Sequence, residues 1–209
     1  MKVTTGTVFD ILSRLRIYFQ GNNTFRNSDN KEPFRSELYS SDQMNRHGNL
    51  LARSHKLMTR KSPDQLLKRL DDNEKTLSEV RNLIAESIAS GKNITPAEEW
   101  LLDNSYLVDE QVVIAKKHLP KGYSEGLPYL SVGNSSGMPR IYDIALEIIS
   151  HSDGRVDVKS LSSFIASYQE VTLLTLGELW AIPIMLRLAV IENLRRIAGK
   201  ASIRVSSRL

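Results

Sequence analysis

The sequence has no cysteine among its 209 residues, so disulfide bonds and thiolate metal ligands are excluded. This absence is consistent with a cytosolic setting. Neither GxGxxG nor GxxxxGK followed by Ser or Thr occurs, so the common phosphate-binding loops are absent as well. We recognise no paired nucleophile and base, and we therefore assign no catalytic residue.

The chain also lacks a strong excess of either charge. Its 28 basic and 24 acidic residues leave a net charge of +4. The surplus is spread over the chain ends and residues 46–61, which is more typical of a solvated surface than of a nucleic-acid interface. We therefore expect no nucleic-acid partner.

The most apolar stretch, residues 176–198, lies near the carboxyl end. Thr175 and Glu178 have the spacing of a capping box, which predicts a helix that begins here. A helix that is apolar on nearly every side lies either among other helices or in lipid. Glu178 and Arg187 would both be costly inside a membrane. The pattern therefore favours a central packed helix without a membrane span, with Trp180 and its neighbours enclosed in a bundle.

Glu178 and Arg187 are the two candidates for buried charges, since a charge on an apolar helix needs a partner or water. An internal ion pair and an arginine that reaches solvent along its aliphatic stem are both compatible with the sequence.

Apolar residues recur at helical spacing through most of the chain, and no alternation typical of strands persists. Helix starts with proline in the first turn are predicted at Ser62 and Thr95. We predict an all-α fold, an antiparallel bundle of about five to six helices with a long Gly/Pro loop over residues 121–139. The predicted division is a mobile segment 1–32, a helical domain 33–199 and a tail 200–209.

No metal site is predicted. His47 and His55 are eight residues apart, whereas metal ligands on one helix are usually three or four apart. Aromatic faces suit sugar rings, so one alternative is a ligand-binding cleft lined by Trp100, Tyr106, Tyr123 and Trp180. Both tryptophans fit core positions equally well.

Six runs of residues together resemble the amino-terminal region of the bacterial cyclic β-1,2-glucan synthases. They are ITPAEEWLLDN (94–104), LPKGY (119–123), GMPRIY (137–142), SHSDGR (150–155), LGELWAIPIMLR (176–187) and IENLRR (191–196). The similarity extends over about residues 34–198.

The resemblance implies a very large inner-membrane glycosyltransferase that polymerises glucose from UDP-glucose, with a divalent metal at an aspartate-x-aspartate motif. This chain has neither that motif nor a glutamine/arginine-x-x-arginine-tryptophan motif. We therefore expect a truncated or separately encoded helical fragment that contains no cofactor of its own.

Three functions follow as expectations. The first is a scaffolding domain, at the cytoplasmic face of the inner membrane, whose partner is the catalytic remainder of the synthase. The second is a module that binds glucan or UDP-glucose, and the third is a general helical protein–protein interaction domain.

Overall fold

The computed structural model describes residues 39–59, 63–152 and 156–206, with side chains described up to residue 199. The helices in this part of the chain are α1 (Ser41–Ser54), α2 (Leu66–Ala89), α3 (Pro96–Asp103), α4 (Ser105–His118), α5 (Arg140–His151), α6 (Val158–Gln169) and α7 (Leu176–Ser206). The prediction of an all-α fold is confirmed. Residues 1–32, predicted to be mobile, lie outside the described residues. The predicted division into domains stays a prediction, although α7 continues past residue 199.

Short capping motifs explain where several of these helices begin. At α3, the Thr95 hydroxyl accepts a hydrogen bond from the Glu98 amide, and the Glu98 carboxylate accepts one from the Thr95 amide, as the sequence predicts. Ser40 and Gln43 form the same reciprocal pair at α1. The predicted cap of α2, Ser62, lies outside the described residues. There the Asp64 carboxylate accepts a hydrogen bond from the backbone of the first helical residue.

Asn104 divides what the sequence predicts as one helix into α3 and α4. Its side-chain amide donates to the Trp100 carbonyl at 2.8 Å, and its backbone N–H donates to the same oxygen at 3.0 Å. An asparagine that satisfies a backbone carbonyl in this way competes with the helical hydrogen-bond ladder. The described part of the chain therefore contains seven helices, and not five to six.

Helix α7 is the centre of the fold, because α2, α5 and α4 all pack against it. Helix α1 packs mainly against α6. Between residues 184 and 194, α7 is buried on nearly every side, which its continuous apolar sequence predicts. None of the described helices is long and apolar enough to cross a membrane.

The prediction that Trp180 is enclosed is wrong, since 77% of this residue is exposed. In the first turns of α7 only one side meets the other helices, through Glu178 and Ala181. Trp180 lies one turn after Leu176 on the opposite side, and Leu176 is 67% exposed. Apolar composition alone therefore does not distinguish a covered from an uncovered helix end.

The long loop between α4 and α5 is packed on the protein, and its residues Tyr129 and Leu130 are buried. Isolated antiparallel bridges pair Leu57 with Leu130 and Tyr129 with Pro139. The backbone N–H of Met58 donates to the Tyr129 carbonyl at 2.8 Å. These bonds attach the loop to the residues that follow α1, and they position the start of α5.

Candidate functional site

One side of α7 carries an uncovered stripe of mostly apolar residues. It consists of Leu176, Trp180, Pro183 and Arg187, spaced by four, three and four residues, which places them on one helical face. We call this surface the Trp180 stripe. Leu173, in the turn that precedes the stripe, is also 77% exposed. A contiguous apolar surface of this kind is typical of interaction sites.

Arg187 lies at the far end of the stripe and is half-buried. It makes no hydrogen bond or ion pair with any residue that the structure describes, and burial lowers the pKa of its guanidinium group. A half-buried cation without a partner is costly. The stripe therefore ends in a charge that an anionic group from outside would stabilise.

A buried ion pair holds the first turn of α7 in place beneath the stripe. Arg140, at the start of α5, donates from Nε to Glu178 Oε1 at 2.8 Å and from Nη2 to Oε2 at 2.6 Å. Both residues are buried, at 2% and 0% exposure. Burial by itself lowers the pKa of Arg140, but the hydrogen bonds and charge of Glu178 outweigh it and raise this pKa. Arg140 also donates to the Leu173 carbonyl at 3.2 Å.

Glu178 has a second role as the capping residue of α7. Its Oε2 accepts hydrogen bonds from the Thr175 backbone N–H at 2.8 Å and from the Thr175 hydroxyl at 3.0 Å. The Thr175 hydroxyl in turn accepts from the Glu178 N–H at 3.3 Å. One carboxylate therefore fixes both where α7 begins and how it is placed against α5. The sequence identifies Glu178 as a charge that needs a partner, but it does not identify Arg140 as that partner.

Polar contacts continue from Arg140 toward α1. The Arg140 guanidinium lies over the Tyr168 ring, 5.8 Å from its centroid, and burial raises the pKa of Tyr168 to about 12. The Tyr168 hydroxyl is 2.8 Å from His55 Nδ1, and His55 Nε2 is 3.0 Å from an Asp143 carboxylate oxygen. The other Asp143 oxygen accepts a hydrogen bond from the Ser135 hydroxyl. This network joins α7, α5, α6 and α1.

Residues 133–137 read GNSSG, which matches the G-x-S-x-G spacing of a hydrolase nucleophile, although no nucleophile was predicted there. A nucleophilic serine donates its hydroxyl proton to an imidazole that a carboxylate orients. Here the hydrogen bonds are arranged differently, because Ser135 donates to Asp143 and not to a histidine, and His55 bonds the other oxygen of the same carboxylate. The arrangement is that of a structural hydrogen-bond network, and we assign no nucleophile to it.

Farther along α7, the buried carboxylate of Glu192 accepts hydrogen bonds from three guanidinium groups. Arg69 on α2 donates to both oxygens, at 2.9 and 2.5 Å, and Arg195 and Arg196 each donate at 2.9 Å. Burial raises the pKa of Glu192, but these three partners outweigh burial and hold the pKa at about 2. We call this group the Glu192 cluster, and it ties α2 to α7.

A third polar group joins α1 and α5 and contains three side chains that, within the described part of the chain, could together hold a metal ion. His47 Nε2 lies 2.8 Å from Glu147 Oε2, and His151 Nε2 lies 3.4 Å from the same oxygen. One ligand atom from each residue lies within 4.8 Å of the other two. Burial raises the pKa of Glu147, but hydrogen bonds from His151 and His47 outweigh it and lower this pKa to about 2.

The four aromatic candidates lie on separate segments: Trp100 on α3, Tyr106 on α4, Tyr123 in the α4–α5 loop and Trp180 on α7. Trp180 and Tyr106 are exposed, whereas Trp100 and Tyr123 are half-buried. A surface depression of about 450 Å³ lies between the end of α2 and α3 and is lined by other residues, among them Ile94. The role of the four aromatic residues in ligand binding stays a prediction.

Comparison with known proteins supplies the remaining observation. No protein-family model matches the chain. Over 171 residues, which is 81% of its length, the chain is 34% identical to the cyclic beta-(1,2)-glucan synthase NdvB of Rhizobium meliloti (strain 1021). The chain spans only 6% of the length of that relative. The resemblance predicted from the six sequence runs is thus confirmed, and it concerns a small region of a much longer synthase.

Proposed function

We propose that this chain is a helical accessory domain of a cyclic β-1,2-glucan synthase, located at the cytoplasmic face of the membrane and without glucosyl transfer activity of its own. Its role is to dock on the catalytic remainder of that enzyme. The similarity to a small part of a long synthase supports this partner. The observation that carries the proposal is the Trp180 stripe, because an exposed indole and an exposed leucine at the start of the central helix indicate a covering surface.

The chemistry of the stripe defines what the partner surface has to provide. The indole of Trp180 and the side chain of Leu176 require an apolar groove on the partner. One face of a helix, with side chains three and four residues apart, fits such a groove. Arg187 requires a carboxylate at the end of that groove, since its charge has no partner within the described chain. Tryptophan and arginine are the residues that most often dominate the free energy of protein association.

The test uses membranes that contain a synthase from which the region similar to this chain has been deleted. Purified full-length chain is added, and co-sedimentation and recovered glucan synthesis are measured. Trp180→Glu places a charge in the proposed contact. Removal of an anchoring tryptophan costs about 2 kcal/mol or more, so we expect at least about 30-fold weaker binding.

Val113→Glu is the matched control, because Val113 is 63% exposed on α4, outside the stripe. We expect this variant to bind and to restore synthesis as the wild type does. Circular dichroism establishes that both variants are folded. Absence of binding by the wild type, or equal binding by the Trp180→Glu variant, contradicts the proposal. A Trp180-dependent dimer in gel filtration would instead assign the stripe to a second copy of the chain.

A second candidate is a glucan-binding module, which the exposure of the Trp180 indole favours because aromatic faces stack on sugar rings. Only two tryptophans are present, so fluorescence in the Trp100→Phe variant reports on Trp180 alone. A saturable change on titration with β-1,2-glucan supports this candidate, and a flat response removes it.

A further inference from the structure

The cluster of His47, Glu147 and His151 is not used by the proposed docking function. Glu147 and His151 are four residues apart on α5, so their side chains lie on the same helical face. His47 approaches from α1, 100 residues earlier in the chain. The fold therefore brings together two imidazoles and one carboxylate from two helices.

Aromatic contacts hold both imidazole rings in place. The ring of Tyr39 stacks on His151 with centroids 3.9 Å apart and an interplanar angle of 13°. Tyr39 also meets His47 edge to face at 5.4 Å between centroids, and the Phe164 ring centroid lies 6.2 Å from that of His47. Rings fixed from several directions lose little further entropy when they bind an ion, which is a property of preorganised sites.

The spacing of the ligand atoms fits one divalent transition-metal ion. Zinc lies about 2.0–2.2 Å from imidazole nitrogen and carboxylate oxygen, which places two tetrahedral ligand atoms about 3.4 Å apart. Glu147 Oε2 lies 2.8 and 3.4 Å from the Nε2 atoms of His47 and His151, and the three ligand atoms all lie within 4.8 Å of one another, so side-chain rotation is needed to bring all three to bonding distance of one ion. Two histidines and one glutamate form a known zinc ligand set with an open fourth position.

We propose that His47, Glu147 and His151 form a binding site for a zinc-class divalent ion. On metal binding the Nε2 proton that each imidazole shares with the Glu147 carboxylate is released to solvent or moves to Nδ1, so that the ring stays neutral with its proton on Nδ1 and its Nε2 lone pair binds the metal. His47 and Glu147 are partly exposed, at 21% and 24% of their side chains, so the ion has a path from solvent and a water completes its coordination. The bound ion ties α1, which packs mainly on α6, to α5.

The experiment uses the full-length chain without an affinity tag, treated with a chelator and then dialysed. Zinc is titrated against a colorimetric chelator, and the melting temperature is measured with and without zinc. We expect one ion per chain and a higher melting temperature with zinc. His47→Ala and Glu147→Gln should each weaken binding by more than about tenfold and remove the rise in melting temperature.

His118→Ala is the matched control, because His118 is exposed at the end of α4, where its hydrogen bond in the described chain is with the Ile114 carbonyl. This variant should bind zinc as the wild type does. Should His151→Ala fail to fold, the more exposed His47 and Glu147 variants still decide the question, with circular dichroism as the check. No zinc binding at micromolar concentration overturns the proposal. Binding that survives in both the His47 and Glu147 variants identifies an adventitious ion only and also overturns it.

Discussion

Arg140→Met is the most informative single change, because Arg140 is the cationic partner of the buried Glu178 carboxylate in the described chain. Methionine keeps much of the length of the arginine side chain, so the change leaves little empty volume. It leaves a carboxylate that is 0% exposed without its two charged hydrogen bonds of 2.8 and 2.6 Å. The Leu173 carbonyl loses a donor as well.

The expected cost follows from the burial of both groups. Breaking a buried ion pair by removal of one partner costs about 3–5 kcal/mol, since the remaining charge stays desolvated. With a urea m-value of about 2 kcal/mol/M, a loss of about 4 kcal/mol lowers the unfolding midpoint by about 2 M. For a chain of this length the melting temperature should fall by roughly 10 °C.

Urea unfolding followed by circular dichroism at pH 7 measures this loss, and a double-mutant cycle isolates the pair. Glu178→Gln removes the charge but keeps a side chain that reaches the Thr175 cap. The double variant should therefore lose less stability than the sum of the two single variants, by about 1–3 kcal/mol. Lys75→Met is the control, because Lys75 and Glu79 form an exposed pair at 3.9 Å, and its loss should change stability by less than about 0.5 kcal/mol. If Arg140→Met costs under about 1 kcal/mol and the cycle is additive, the carboxylate is not buried as described.

Two further predictions concern the loss of stability at low pH and the packing of α1 against α6. The pKa of Glu192 is about 2 in the folded chain against an ordinary value of 4.5, so its ionised form contributes stability above about pH 4.5 that is lost as the pH falls toward 2. The stability lost is about 3 kcal/mol. The unfolding free energy of Glu192→Gln should therefore decline less than that of the wild type between pH 5 and pH 2. An equal decline in both proteins refutes the lowered pKa of Glu192. Gly48→Ala should destabilise the chain by about 1–3 kcal/mol in urea unfolding, because a Cβ at this position would lie 3.0 Å from the Phe164 carbonyl oxygen on α6; a neutral result would show that α1 and α6 can separate.

Local sequence rules predicted most of the fold. The caps at Thr95 and Thr175 depend on residues three apart, and hydrophobic spacing depends on neighbours within one or two turns. Such signals are contained within one element, so they are readable without the tertiary structure. The break at Asn104 was not predicted, because an asparagine in a helical pattern has a weak preference that its neighbours usually override.

The groups that shape the site depend on partners far apart in sequence. Arg140 and Glu178 are 38 residues apart, and His47 and Glu147 are 100 apart. A charge on an apolar helix signals that a partner is needed, as it did for Glu178, but it does not say which of many cations supplies it. Exposure of Trp180 was mispredicted for the same reason, since coverage depends on which helices reach the start of α7.

The placement of the Arg140–Glu178 pair connects stability with the proposed docking surface. A buried ion pair contributes little net stability compared with apolar residues of the same size, so its value lies in geometry. Glu178 caps α7 and also accepts hydrogen bonds from Arg140 on α5. These contacts fix the rotation of the first turn of α7 relative to α5. Trp180 lies half a turn beyond Glu178, so its Cα–Cβ bond points away from the helices packed on α7. A helix end whose backbone is held in place loses less entropy on association than a mobile one, which favours a docking role for the Trp180 stripe over a merely uncovered helix end.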